Sequence, residues 1–151
     1  MKPLLTLVFL SILPGALLAQ TADDTTAPMV EEVILGDGVE NLNEFVWVKR
    51  PIIVFADSPA DPRYIQQMEF LNAQIDELAE RDVVVLTDTD PSAKSALRDK
   101  LHPRGFMMVL IGKDGTIYLR KPLPWDVREI SRTIDKMPMR KQEIRDRRGD
   151  S

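Results

Sequence analysis

The hydrophobic pattern of this chain changes period along its length, and each change marks an element. Ile52-Ile53-Val54-Phe55-Ala56 is an unbroken, largely β-branched apolar run. Such a run predicts a strand covered on both faces, as in a sheet with parallel neighbours. Asp82-Val83-Val84-Val85-Leu86-Thr87 repeats the pattern. Between the two, Asp57-Ser58-Pro59-Ala60 reads as a turn, and Asp61-Pro62 supplies a helix cap followed by a proline at the first helical position. Ile65, Met68, Leu71, Ile75 and Leu78 then recur at helical spacing, which predicts one helix ending near Arg81. Asp90-Pro91 repeats the cap-and-proline device and predicts a second helix with Ala93, Ala96, Leu97 and Leu101 inward.

Downstream, residues 106–111 predict a third strand, Lys113-Asp114-Gly115 a tight hairpin turn and residues 116–120 a fourth strand. Pro122 and Pro124 break the chain, and a helix from about Trp125 carries Val127, Ile130, Ile134 and Met137 on one face. Pro138 is expected to end or kink it, leaving a charged tail that frays beyond Arg145. Upstream, residues 30–35 give a weak strand signal, and residues 42–47 read as a short turn or helical piece laid over the core by Phe45 and Trp47. A strand–helix–strand–helix order with right-handed crossovers makes the first two long strands parallel neighbours. The expected class is α/β, a three-layer sandwich around a mixed sheet, with a β-α-β unit followed by a β-hairpin and a closing helix.

The amino terminus follows a different pattern. Lys2, the apolar run 4–13, Pro14-Gly15 and the small-residue end Ala16-Leu17-Leu18-Ala19 match a secretory signal cleaved after Ala19. The run is too short to cross a bilayer. The expected division is a signal at 1–19, a flexible acidic leader at 20–41, one domain at 42–143 and a charged tail at 144–151, in a periplasmic or secreted protein with no span after cleavage.

Composition narrows the chemistry. There is no cysteine among the 151 residues, which closes off thiolate-based redox and peroxidase chemistry. A net charge of −4 gives no global sign of nucleic-acid binding. The charge is uneven: acids without a base from Asp23 to Glu44, and an excess of bases from Arg120 onward.

The β-α-β unit, hairpin and closing helix resemble the thioredoxin arrangement. Arg104-Gly105-Phe106 followed by Lys113-Asp114-Gly115 is similar to the surroundings of the thioredoxin cis-proline, while residues 42–56 and 81–90 look more like peroxiredoxin. A closer match is carried by Phe45-x-Trp47, Arg50-Pro51, Val54-Phe55-Ala56, Arg81-Asp82-Val83, Leu110-Ile111-Gly112-Lys113-Asp114-Gly115, Arg120 and Ile134-Asp135-x-Met137-Pro138-Met139-Arg140-x-x-Glu143. These motifs resemble the domain of unknown function 4174, a thioredoxin-like group in exported bacterial proteins, with related domains in secreted animal matrix proteins. The resemblance implies the fold and export but brings no activity with it. On the thioredoxin alignment, the two redox cysteines would fall near Pro59 and Pro62, and the cis-proline near Met107.

Four groups of residues remain as candidate sites. Asp57, Ser58, Asp61, Asp88 and Asp90 lie where the predicted parallel strands end, the edge at which open α/β sheets bind ligands. Their oxygens suit calcium, but Asp61 and Asp90 already serve as caps and the spacing is not that of a calcium loop. His102, the lone histidine, lacks a nucleophile elbow and fits a helix C-terminus. Arg128, Arg132, Lys136 and Arg140 recur every four residues, a stripe suited to an acidic protein, a polyanionic glycan or a charged lipid surface. Trp47 and Trp125 read as plugs at the core edge, and Met107-Met108 as core.

The sequence therefore favours a non-catalytic binding or scaffold module. No cofactor and no metal is implied, and the partner is a protein or anionic polymer of the envelope. Contact is expected through Asp57, Asp61, Arg63 and Arg104, or through Arg128, Arg132 and Lys136. The alternative is a non-redox enzyme, or a small-ligand or calcium-binding protein, using the acidic strand-end edge. A third reading is a dimerising structural domain.

Overall fold

Alternation along the three central strands sends successive side chains to opposite faces of one sheet, and both faces are covered. The computed structural model describes residues 32–150 of the chain. The expected signal at 1–19 and the leader as far as residue 31 lie outside the described residues.

The sheet comprises β1 (Ile34–Gly36), β2 (Arg50–Phe55), β3 (Val83–Asp88), β4 (Met107–Ile111) and β5 (Ile117–Lys121), in the order β1-β3-β2-β4-β5. β1 and β2 pair parallel to β3, while β4 pairs antiparallel to both β2 and β5. In register, Ile53 stands beside Leu86 on one side and Val109 on the other. Ile52, Val54, Val83, Val85, Met108 and Leu110 face one core. It is closed by α1 (Pro62–Ala73), α2 (Ile75–Glu80) and α4 (Val127–Asp135) through Leu71, Leu78, Val127, Ile130 and Ile134. Ile53, Phe55, Val84, Leu86, Val109 and Ile111 face the other. There α3 (Ala96–Leu101) and the 3-10 turn Leu42–Phe45 supply Leu97, Leu101, Leu42 and Phe45. The expected α/β sandwich with its mixed sheet, β-α-β unit and hairpin is the fold observed.

Pro51 occupies a central strand, normally a poor place for a residue without an N–H. Arg50 N–H donates to Asp82 O at 2.8 Å, so the next residue faces β4. Pairing with β4 begins only at Ile52↔Leu110, and no ladder bond is lost.

Several local readings are corrected. The single helix expected over 62–81 is two: Gln74 leaves helical geometry (φ −134°, ψ 43°) and its N–H returns to Leu71 O. No proline or glycine marks this break, so the apolar spacing runs through it. The helix expected after Asp90-Pro91 is a 3-10 turn, Pro91–Ala93, and a fresh start at Ala96. Lys94 turns left-handed (φ 48°) and Ser95 caps α3 by accepting from Arg98 N–H, leaving Ala93 and Ala96 exposed while Leu97 and Leu101 are buried.

The weak strand signal at 30–35 is met by β1 (Ile34–Gly36), which pairs with β3 inside the segment expected as leader, with Val33 buried. The tail does not fray at Arg145, since α5 (Pro138–Gly149) continues to Gly149; the break expected at Pro138 is present, α4 ending at Asp135 and Pro138 opening α5. Trp47 does not plug the core. Phe45 does so, whereas Trp47 is 66% exposed on a left-handed backbone (φ 67°), its N–H held by Lys113 O.

Candidate functional site

The carboxyl ends of β2 and β3 were expected to gather acids, and they do, but with arginines set against them. Asp88, the last residue of β3, is buried; one carboxylate oxygen accepts from Arg98 Nε at 2.8 Å and the other from the Ser95 hydroxyl. Arg98 Nη2 also donates to Ala56 O (2.7 Å) and Asp88 O (3.1 Å), and its guanidinium lies over the Phe55 ring. One arginine thus occupies the strand-end position where a ligand would approach. Asp90 caps the 3-10 turn, and the hydroxyl and N–H of Ser92 hold its carboxyl below the usual range.

Asp61 caps α1 and accepts from Arg63 through both its backbone and its guanidinium (Nη2 to Oδ2, 2.8 Å), which lowers its carboxyl and raises the guanidinium in turn. Arg63 stacks over Phe106 and feels the charge of Asp57. Gly105, left-handed at φ 59°, brings the loop of exposed Arg104 against this pair: a Cβ there would lie 3.9 Å from Asp57 Oδ2 and 4.0 Å from Arg63 Nη2. The structure therefore brings Asp57, Asp61 and Arg63 together at the surface, with Arg104 on the adjoining loop. Among the described residues there is no group of three or more acids or histidines disposed to hold a metal. His102 is exposed as the left-handed C-cap of α3. Pro59 lies in the turn after β2, and Pro62 opens α1.

The densest charge cluster lies at the opposite pole, at the amino ends of β2 and β3. Arg50, the first residue of β2, has a fully buried side chain. It donates to Glu143 Oε1 at 2.9 Å and to Arg81 O at 2.8 Å, with Asp82 at 4.0 Å. Lys113 Nζ bridges Asp82 (2.7 Å) and Glu143 (2.8 Å). Arg81 grips Asp135 with two bonds, 3.1 and 3.0 Å, the planar fork geometry that favours arginine. Arg140, 2% exposed, reaches Asp135, Glu80 and Glu143. Burial alone would raise the carboxyls of Glu143 and Asp135. The bonds and charges of Arg50 and Lys113 hold Glu143 at about 2, and those of Arg81 and Arg140 hold Asp135 below the usual range. Arg50 Nε is the one buried side-chain polar atom without a hydrogen-bond partner among the described residues.

Arg140 therefore does not belong to the basic stripe. Pro138 starts a new helix, which turns Arg140 inward. Arg128, Arg132 and Lys136 remain exposed along α4, with Arg132 paired to Glu129 at 2.8 Å. Among the described residues they share no hydrogen bond or ion pair with the Asp57–Arg63 loop. Two features had no counterpart in the sequence reading. The first is the Arg98–Asp88–Ser95 lock. The second is Gln67, fully buried on α1, whose amide both donates to Trp125 O and accepts from Trp125 N–H at 2.8 Å.

Solved structures share this architecture. The reduced 2-Cys peroxiredoxin of Plasmodium vivax is 18% identical with a TM-score of 0.55, covering 68% of this chain and 85% of its own. Thioredoxin peroxidase I of Plasmodium yoelii is 20% identical with a TM-score of 0.50, covering 67% and 79%. At such identities the likeness is one of fold alone: the chain has a thioredoxin-like fold similar to that of these peroxiredoxins, and it contains no cysteine. The chain belongs to the family described as Domain of unknown function (DUF4174), which matches residues 41–143. The motifs that carried the resemblance, Arg50-Pro51, Arg81-Asp82, Lys113 and Asp135 to Glu143, supply the ionic cluster at the amino pole.

Proposed function

We propose that this protein is an exported, non-catalytic thioredoxin-like module that binds an anionic polymer or acidic protein through the outer face of α4. The observation that carries the reading is the contrast between the two charged surfaces. At the strand-end edge Asp61, Asp88 and Asp90 are each engaged by neighbours within the chain. The side chains of Arg128 on α4 and Lys136 at its C-cap are exposed and have no hydrogen-bond or ionic partner among the described residues, and Arg132 has only Glu129. Lys141 on α5 adds a further exposed cation without a side-chain partner among the described residues. Free cations on one face attract a polyanion at long range, and the attraction weakens with salt. Export rests on the pattern at 1–19.

The test is retention on an immobilised sulfated polysaccharide as ionic strength rises. Arg128→Glu/Arg132→Glu/Lys136→Glu should elute at markedly lower salt than the parent, while Asp57→Asn/Arg63→Gln should elute with it. Equal elution of the parent and the charge-reversed protein overturns the assignment.

A further inference from the structure

One cavity stands apart from both charged surfaces. It measures about 220 Å³ and lies between the 3-10 turn Leu42–Phe45, the end of α3 and the β4–β5 hairpin. Leu42, Phe45, Leu101 and Ile111 form apolar walls, all buried within the second core. Its lining includes no acid, and only one charged residue, Lys100. Among the described residues the Lys100 side chain makes no hydrogen bond or ion pair, and the side-chain amide of Asn43, also on the lining, has no hydrogen-bond partner. An apolar cleft with a few convergent polar groups has the general form of a small-molecule site.

We propose that this cleft binds a small amphipathic monocarboxylate, its hydrocarbon tail against Leu42, Phe45, Leu101 and Ile111 and its carboxylate toward Lys100 and Asn43. Size fixes the tail. An apolar cavity of about 150 Å³ accepts a benzene ring, so this one accommodates an alkyl chain of about six to eight carbons or a single substituted ring. Charge fixes the head. A lone ammonium on a lining without an acid favours one negative charge over none, and offers no second cation for a dianion such as a phosphate monoester. The proposal is independent of the α4 reading, because neither Arg128, Arg132 nor Lys136 lines the cavity.

The probe is sodium octanoate titrated into the ¹⁵N-labelled full chain, with 1-octanol as the uncharged comparison. Saturable shifts should centre on the amides of Leu101, Ile111, Gly112 and Ile117. Octanoate should bind more tightly than octanol. Lys100→Gln should weaken octanoate by about tenfold and leave octanol unchanged, since it removes one partly exposed charge-assisted hydrogen bond. Asn43→Trp, which places a ring in the cavity mouth, should abolish both. Lys100 and Asn43 are exposed, so the variant spectra should otherwise superpose on the parent's. Absence of saturation with octanoate, shifts centred elsewhere, or an unaltered octanoate affinity in Lys100→Gln each overturns the proposal.

Discussion

Replacing Glu143 by glutamine should destabilise the protein strongly at neutral pH and hardly at all near pH 2. The carboxylate accepts from Arg50 at 2.9 Å and Lys113 at 2.8 Å, while its second oxygen lies 3.5 Å from Arg140. Arg50 is fully buried and already has one unpartnered nitrogen. Glutamine keeps the shape and one acceptor oxygen, but it removes the negative charge facing Arg50 and Lys113 and leaves buried Arg50 only Asp82, 4.0 Å away, as a counter-charge. Removing one partner of a buried pair costs roughly 3–5 kcal/mol, and the 22% exposure of Glu143 places this case at the lower end. Linkage gives a similar figure. A carboxyl held at about 2 when folded, against an ordinary 4.5, contributes on the order of 3 kcal/mol above pH 4.5. Because the folded value is the depressed one, that contribution is complete above the unfolded pKa and disappears as pH falls from 4.5 toward 2. Urea unfolding of parent and Glu143→Gln at stepped pH reads the difference directly. The expected gap is about 3 kcal/mol at pH 7, closing below pH 4.5. A gap under about 0.5 kcal/mol at pH 7, or one that does not change with pH, refutes the argument.

Arg98→Gln should cost about 2–3 kcal/mol in the same assay, because it strands the buried Asp88 carboxylate and the Ala56 carbonyl; a loss below about 0.5 kcal/mol counts against the lock. Calcium should leave the parent melting temperature unmoved, since a cation at Asp88 must displace an arginine at 2.8 Å; a saturable rise that vanishes in Asp88→Ala would show the edge to be a metal site after all. Gln67→Leu should cost about 2 kcal/mol by unpairing both backbone groups of Trp125, and a neutral result would mean that water replaces the amide. Gly112→Ala should destabilise because its Cβ would stand 2.5 Å from Tyr118 Cε2 and 2.7 Å from Asp114 Oδ1. Adding Tyr118→Ala should recover part of the loss, and no recovery would place the clash elsewhere.

The central strands could be read from the sequence because burial on both faces leaves no polar interruption: 52–55 and 83–86 are apolar throughout. The first helix could be read because Asp61-Pro62 fixes its start chemically. Misreadings arose where one signal hid another. Ser95 is a cap as good as Asp90, yet Asp90-Pro91 drew the helix start five residues early. Four-residue spacing runs on to Arg140, but Pro138 restarts the helix and turns Arg140 inward, which leaves Arg128, Arg132 and Lys136, the cations expected to make contact, exposed. Trp47 looked like a plug because of its size, but its left-handed backbone, fixed by Lys113 O, points it outward. The strand-end acids were legible as residues but not as paired groups. The arginine that neutralises Asp88 stands ten residues on, beyond a turn whose path no local pattern specifies.

The amino-pole cluster is the deeper case. Its members other than Glu80 were visible as motifs, but Arg50 and Glu143 are 93 residues apart and meet only after α5 docks. Burying four cations among four carboxylates is a poor route to stability compared with apolar packing of the same volume, so its value lies in geometry. Bidentate and bridging contacts accept one arrangement of strand heads and helix, whereas an apolar contact would tolerate sliding. Arg81 with Asp135 fastens the end of α4; Arg50, Lys113 and Arg140 with Glu143 fasten α5 against the sheet. The residues that identify the family thus specify how its last two helices sit, at the pole opposite the one where this fold ordinarily does chemistry. With α5 so fixed, Arg140 and Glu143 turn inward and Lys141 and Arg145 outward, which adds cations to the exposed side of the closing helices. The motif residues thus account for an architecture, and function in this chain should be sought on the exposed face of α4 and in the cleft beside Lys100 rather than among the motif residues themselves.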